Sequence, residues 1–117
     1  MRIVLDDRPG KQKLSVLSES MNLYGVLSGE ERMVLNGHFR GTIDLKSELL
    51  IAATAFVEAN IFADTVIVYG RVLGDMVGLA SICIKNGGVV EGNILAPEIV
   101  LENGARVTGT VMIGDRN

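Results

Sequence analysis

Val90-Glu-Gly92-Asn-Ile94 reads apolar, other, small, other, apolar, and this five-residue phrase decides the fold. Outward from it in both directions the phrase returns five more times. Leu23-Tyr-Gly25-Val-Leu27, Phe39-Arg-Gly41-Thr-Ile43, Val57-Glu-Ala59-Asn-Ile61 and Val72-Leu-Gly74-Asp-Met76 precede it, and Val107-Thr-Gly109-Thr-Val111 follows. The small residues lie 16, 18, 15, 18 and 17 positions apart. A repeat held over most of 117 residues marks a solenoid, in which no repeat buries its apolar face alone and each must stack on the next.

Within the phrase the period is two, which is the strand signature. A second alternating pair follows each of the first five phrases: Met33/Leu35, Leu49/Ile51, Val66/Val68, Ile82/Ile84 and Ile99/Leu101. No stretch keeps a 3.6-residue period over three turns, so helices are not expected. From phrase to pair the step is 5 or 6 residues, and from pair to next phrase it is 4 or 6. Inside the strands it never changes. Length variation confined to corners is what strands stacked in register require. Asn36-Gly37, Asn86-Gly87-Gly88 and Asn103-Gly104 suit one such corner, because Gly and Asn tolerate positive φ.

The expected fold is therefore all-β: a single-domain parallel β-helix of about six coils, with like positions stacked about 4.8 Å apart. Leu23, Phe39, Val57, Val72, Val90 and Val107 would form one interior row, and Leu27, Ile43, Ile61, Met76, Ile94 and Val111 another. Between them the small row of Gly25, Gly41, Ala59, Gly74, Gly92 and Gly109 is expected to mark where the core is too narrow for a larger side chain. A left-handed hexapeptide helix, with three six-residue sides summing to about 18, fits the coil length too. Its strict six-residue step does not match the wandering spacing, which favours the less regular helix.

Composition agrees. Hydrophobic residues make up 48% of the chain but aromatics only 4%, with 14 Gly, 2 Pro and no Trp, a mix suited to narrow, regular packing. A net charge of −3 gives no basic face for nucleic acid. One cysteine excludes an internal disulfide framework and fits a reducing cytoplasm. No apolar run reaches the roughly 18–20 residues that span a bilayer, and no signal-peptide core is visible.

The text Asn36-Gly-His-Phe-Arg-Gly-Thr-Ile43, Val89-Val-Glu-Gly-Asn-Ile-Leu-Ala96 and Gly104-Ala-Arg-Val-Thr-Gly109, in six ordered copies, closely resembles the bactofilins, bacterial polymer-forming cytoskeletal proteins. The resemblance covers residues 17–113. It implies a right-handed, three-sided β-helix that assembles end to end into nucleotide-independent filaments. It further implies a scaffold for cell shape, polarity or envelope synthesis that recruits proteins of those processes, placed in the cytoplasm or at the inner face of the cell membrane.

Residues 1–16 are read as a flexible N-terminal tail broken by Pro9-Gly10, residues 17–113 as the polymerisation domain, and 114–117 as a short C-terminal tail. Met1-Arg-Ile-Val-Leu5 is in the manner of the family's membrane anchors. It lacks an aromatic and precedes Asp6-Asp7, so only weak membrane association is expected from it. The last coil, ending at Ile113, is followed by too little chain to cap it, which makes Val107, Val111, Met112 and Ile113 the expected polymer interface. On the outside, Val34, Leu50, Ile67, Cys83 and Val100 stack as an apolar row, a candidate face for lateral bundling, a partner or a membrane. Phe62, Val77, Leu95 and Met112 form a second, and Thr42, Asn60, Asp75, Asn93 and Thr110 a polar row.

No catalytic, cofactor-binding or metal-ligating residue is expected. His38 is the only histidine and is read as a solvated surface residue, and Cys83 has no basic neighbour to activate it. Asn86-Gly87-Gly88 lacks the Lys-Ser/Thr of a phosphate loop. Two other readings fit a β-helix: an adaptor that binds a partner along its apolar outer face without polymerising, and a hexapeptide-type trimeric enzyme with His38 turned to the subunit cleft.

Overall fold

The computed structural model describes residues 2–4, 15–16 and 22–114. They form thirteen strands and no helix: β1 (Arg2–Val4), β2 (Ser15–Val16), β3 (Asn22–Gly29), β4 (Met33–Leu35), β5 (His38–Ile51), β6 (Phe56–Val68), β7 (Arg71–Leu73), β8 (Met76–Ile84), β9 (Val89–Glu91), β10 (Ile94–Ala96), β11 (Glu98–Leu101), β12 (Arg106–Thr108) and β13 (Val111–Ile113). Every pairing is parallel, each strand lying beside its counterpart one coil along, as a parallel β-helix requires.

Three faces are traced. The first carries the start of each phrase, in β7, β9 and β12 and the openings of β3, β5 and β6. A second carries the end of each phrase, in β10, β13 and the opening of β8. The third carries the inward pairs, in β4, β11 and the closing residues of β5, β6 and β8. Five coils, from Asn22 to Leu101, have all three sides, and a sixth, from Arg106 to Ile113, has two. The predicted register holds residue by residue. Leu23 pairs with Phe39, Phe39 with Val57, Val57 with Val72, Val72 with Val90 and Val90 with Val107. Leu27, Ile43, Ile61, Met76, Ile94 and Val111 stack in the same way. So do the inward pairs from Met33/Leu35 to Ile99/Leu101.

These rows make a continuous core in which Leu27, Ile43, Leu49, Ile51, Val57, Val66, Val72, Ile82, Val90 and Ile94 are fully buried. Each such side chain contributes on the order of 1.5–3 kcal/mol relative to exposure. A further inward row was not anticipated: Leu45, Ala63, Gly78 and Ala96, two residues past the phrase and buried throughout.

The small row needs correction. The glycines at 25, 41, 74 and 92 are half-exposed and Gly109 is exposed, so they do not line the narrow part of the core. They stand at the corner between the first and second faces with φ of 141, 136, 134, 152 and 136°. A Cβ on Gly41 would lie 1.8 Å from the Gly25 carbonyl oxygen, and on Gly92 2.0 Å from that of Gly74. Glycine is needed because the preceding coil's carbonyl oxygen stands where a Cβ would be, and because φ is positive. Ala59 alone is buried, and it holds the same position without a positive φ.

The tail also differs in part from expectation. β1 pairs with Val26–Ser28 and β2 with Met33–Val34. These five residues extend the solenoid by a partial coil, satisfying backbone groups that the first edge would otherwise leave unpaired. The rest of the expected tail, at residues 1 and 5–14, lies outside the described residues, as do residues 17–21 and 115–117. No helix among the described residues is long and apolar enough to cross a membrane.

Candidate assembly surfaces

The interior rows must end somewhere, and the two ends of the solenoid differ. At the N-terminal end Leu27, Met33 and Leu35 are at most 1% exposed. At the C-terminal end the same rows reach Leu101, Val111 and Ile113, which are 50%, 39% and 70% exposed. Their counterparts one coil back, Ile84, Ile94 and Ala96, are fully buried. Ile99, Ala105 and Val107 complete this end and pack partly against the core. β11, β12 and β13 each pair on one side only among the described strands, with β8, β9 and β10. The C-terminal end therefore joins an apolar face to a row of open backbone groups, the two properties that let one sheet continue into another.

Of the expected interface residues, Val107, Val111 and Ile113 occupy this end. Met112 shares the open strand β13, but its side chain stands outward, stacked with Leu95 on the flank of the second face. Ile99 and Leu101 reach the same end and were not singled out from the sequence, although their place as the last inward pair was legible. Gly114 donates its N–H to the Ala96 carbonyl at 2.9 Å and continues the stacking past β13.

On the third face Val34, Leu50, Ile67, Cys83 and Val100 form one unbroken outward column. The first four are half-exposed and Val100 is exposed. On the second face the polar column is a hydrogen-bond ladder. Asp75 N–H donates to Asn60 Oδ1 at 3.4 Å, Asn93 N–H to Asp75 Oδ1 at 3.1 Å and Thr110 N–H to Asn93 Oδ1 at 3.3 Å. These side chains supply acceptors at the corner where the glycines bend the chain.

His38 is more engaged than a solvated residue. Its ring stacks on Phe56 with centroids 5.0 Å apart, and Nε2 lies 3.1 Å from Glu58 Oε1. Arg71 covers the Phe56 ring from the next coil and pairs with Glu91 at 2.8 Å. These groups bind coil to coil along the first face, each pair exposed enough to be worth about 1 kcal/mol or less. At the corner after the third face, the Glu102 carboxylate accepts from the Asn86 N–H at 3.1 Å and from Lys85 Nζ at 3.2 Å. The Asn86 N–H first, and Lys85 second, hold the Glu102 carboxyl below its usual range, while the same pairing raises Lys85.

A groove of about 330 Å³ is lined by Asp44, Leu45, Lys46, Phe62, Ala63 and Leu79. It brings together no nucleophile with a base. Among the described residues no three His, Cys, Asp or Glu side chains converge to hold a metal.

The bactofilin family, described as polymer-forming cytoskeletal, matches residues 15–112. Bactofilin BacO of Myxococcus xanthus (strain DK1622) is 35% identical over 97 residues, covering 83% of this chain and 77% of that protein. Bactofilin BacP of the same organism is 30% identical over 101 residues, covering 86% of this chain and 42% of that protein. No solved structure matches.

Proposed function

This chain belongs to the bactofilin family of polymer-forming cytoskeletal proteins, and from that premise we propose that it assembles end to end into filaments through its C-terminal coil. The observation that carries the reading is the run-out of the core. Rows buried in the coils just before it emerge exposed at Leu101, Val111 and Ile113, over strands with one hydrogen-bonding side open among the described strands. A second copy laid on this end would recover on the order of 1–2 kcal/mol for each of these side chains. It would also pair the open backbone groups. Such a contact is packing and sheet continuation, so it calls for no nucleotide. The filament is read as a scaffold in the cytoplasm or at the inner face of the membrane, on which proteins of cell shape, polarity or envelope synthesis gather.

The test is negative-stain electron microscopy and light scattering of the purified protein in buffer without nucleotide, beside Val111→Arg. The parent protein should form filaments. Val111→Arg should scatter as small species while keeping its β circular dichroism, because Val111 already faces solvent in the single copy. Discrete trimers or monomers of the parent protein, or filaments unaltered by Val111→Arg, would contradict the reading.

A further inference from the structure

Resting on that end-to-end reading, we propose that copies in neighbouring filaments pair laterally through the third face, with their solenoid axes antiparallel. The occupant of the apolar column is thus a second copy of this chain.

The register builds this face as three outward columns. The middle one runs Val34, Leu50, Ile67, Cys83, Val100. On one side lie Arg32, Glu48, Thr65, Ser81 and Glu98, and on the other Asn36, Ala52, Tyr69, Lys85 and Glu102. The waist of the face, at Thr65, Ile67 and Tyr69, carries no charge, and the charges stand toward its two ends.

Two two-fold arrangements lay such a face on its own copy with the columns aligned. An axis along the solenoid keeps the coils level and exchanges the flanking columns. Glu98 then meets Glu102 of the other copy, twice, and Arg32 meets only Asn36. An axis along the strands inverts the coil order and keeps the columns. Arg32 then meets Glu98 twice, Val34 meets Val100, Leu50 meets Cys83, and Ile67 meets itself. Glu98 has no ion pair within the chain among the described residues, whereas Arg32 holds Glu48 through Nε at 3.2 Å and one terminal nitrogen at 3.1 Å. The other terminal nitrogen of its fork is left for a second carboxylate. Charge complementarity therefore selects the antiparallel pairing, since like charges facing across an interface are costly.

The size of the face says when it acts. Five strands about 4.8 Å apart, each contributing about five residues, give roughly 400 Å² per copy, below the about 800 Å² per partner of stable complexes. One pair is too small to hold alone. Many pairs in register along two filaments reinforce one another through effective concentration.

Disulfide trapping tests the orientation. Filaments of the parent protein, checked by microscopy, are oxidised mildly beside filaments of Leu50→Cys and run on non-reducing gels. In the antiparallel pairing the introduced thiol faces Cys83, so Leu50→Cys should convert mostly to covalent dimer and the parent protein should not. Glu98→Arg in that background should lower dimer yield by about fivefold, the scale of one rim ion pair. Adding Arg32→Glu should restore it. Efficient dimerisation through the native Cys83 alone would establish level coils and overturn the proposal, as would filaments of Leu50→Cys that give no dimer. If no filaments form, the end-to-end reading falls, and the lateral one with it.

Discussion

A Cβ added to Gly74 would stand 2.1 Å from the Ala59 carbonyl oxygen, on a backbone whose φ is +134°. Gly87 also has positive φ, +90°, yet nothing lies within 4 Å of the same added atom. The two glycines separate conformational strain from steric exclusion. Gly74→Ala should cost about 3 kcal/mol or more, because a backbone oxygen cannot swing aside as a side chain can. Gly87→Ala should cost about 1 kcal/mol, the strain alone. Denaturant unfolding measures both, and equal costs would show that coil-to-coil contact at the small row does not matter. The row was plain in the sequence and its physical reason was not. Composition marks a position as small, but whether a core wall or a neighbouring carbonyl imposes this depends on how the chain bends between faces.

At the scale of elements, the strands and their register were almost entirely legible, since a period of two fixes which residues point inward and the stacking follows. The corners were less so. Leu45 and Ala63 fill a further inward row, but each sits next to a register shift, between Leu45 and Glu48 and between Ala63 and Thr65, which blurs the alternation. β1 and β2 were hidden for another reason: two- and three-residue strands carry too little pattern to be read alone. The corner at Glu102 offers a pH test. Its carboxyl is held below the usual range by the Asn86 N–H and Lys85, so the stability it adds is present above the usual carboxylate value. That stability is lost as pH falls through its lowered value, beneath the ordinary glutamate range. Thermal unfolding followed from pH 7 to about pH 3 should therefore show a smaller acid loss for Glu102→Gln than for the parent chain. Identical acid profiles would mean that the pairing adds nothing to stability.

For the whole molecule the consequence of stacking is that its ends are unlike. The first complete coil has partners on both sides, in β1 and β2 above and β5 below, whereas β11, β12 and β13 have partners on one side only among the described strands. The sequence pointed to this end through Val107, Val111 and Ile113. It also named Met112, which lies in the same open strand with its side chain on the flank. The central claim, that the open side of the last coil is closed by another copy, is tested most directly by hydrogen–deuterium exchange. Filaments are compared with the Val111→Arg protein, residue segment by segment. Amides of Glu98–Leu101, Arg106–Thr108 and Val111–Ile113 that face the open edge should exchange fast in the variant and become protected in filaments. Protection elsewhere in the core should stay the same. Filaments in which these three strands exchange as fast as in the variant would contradict the account.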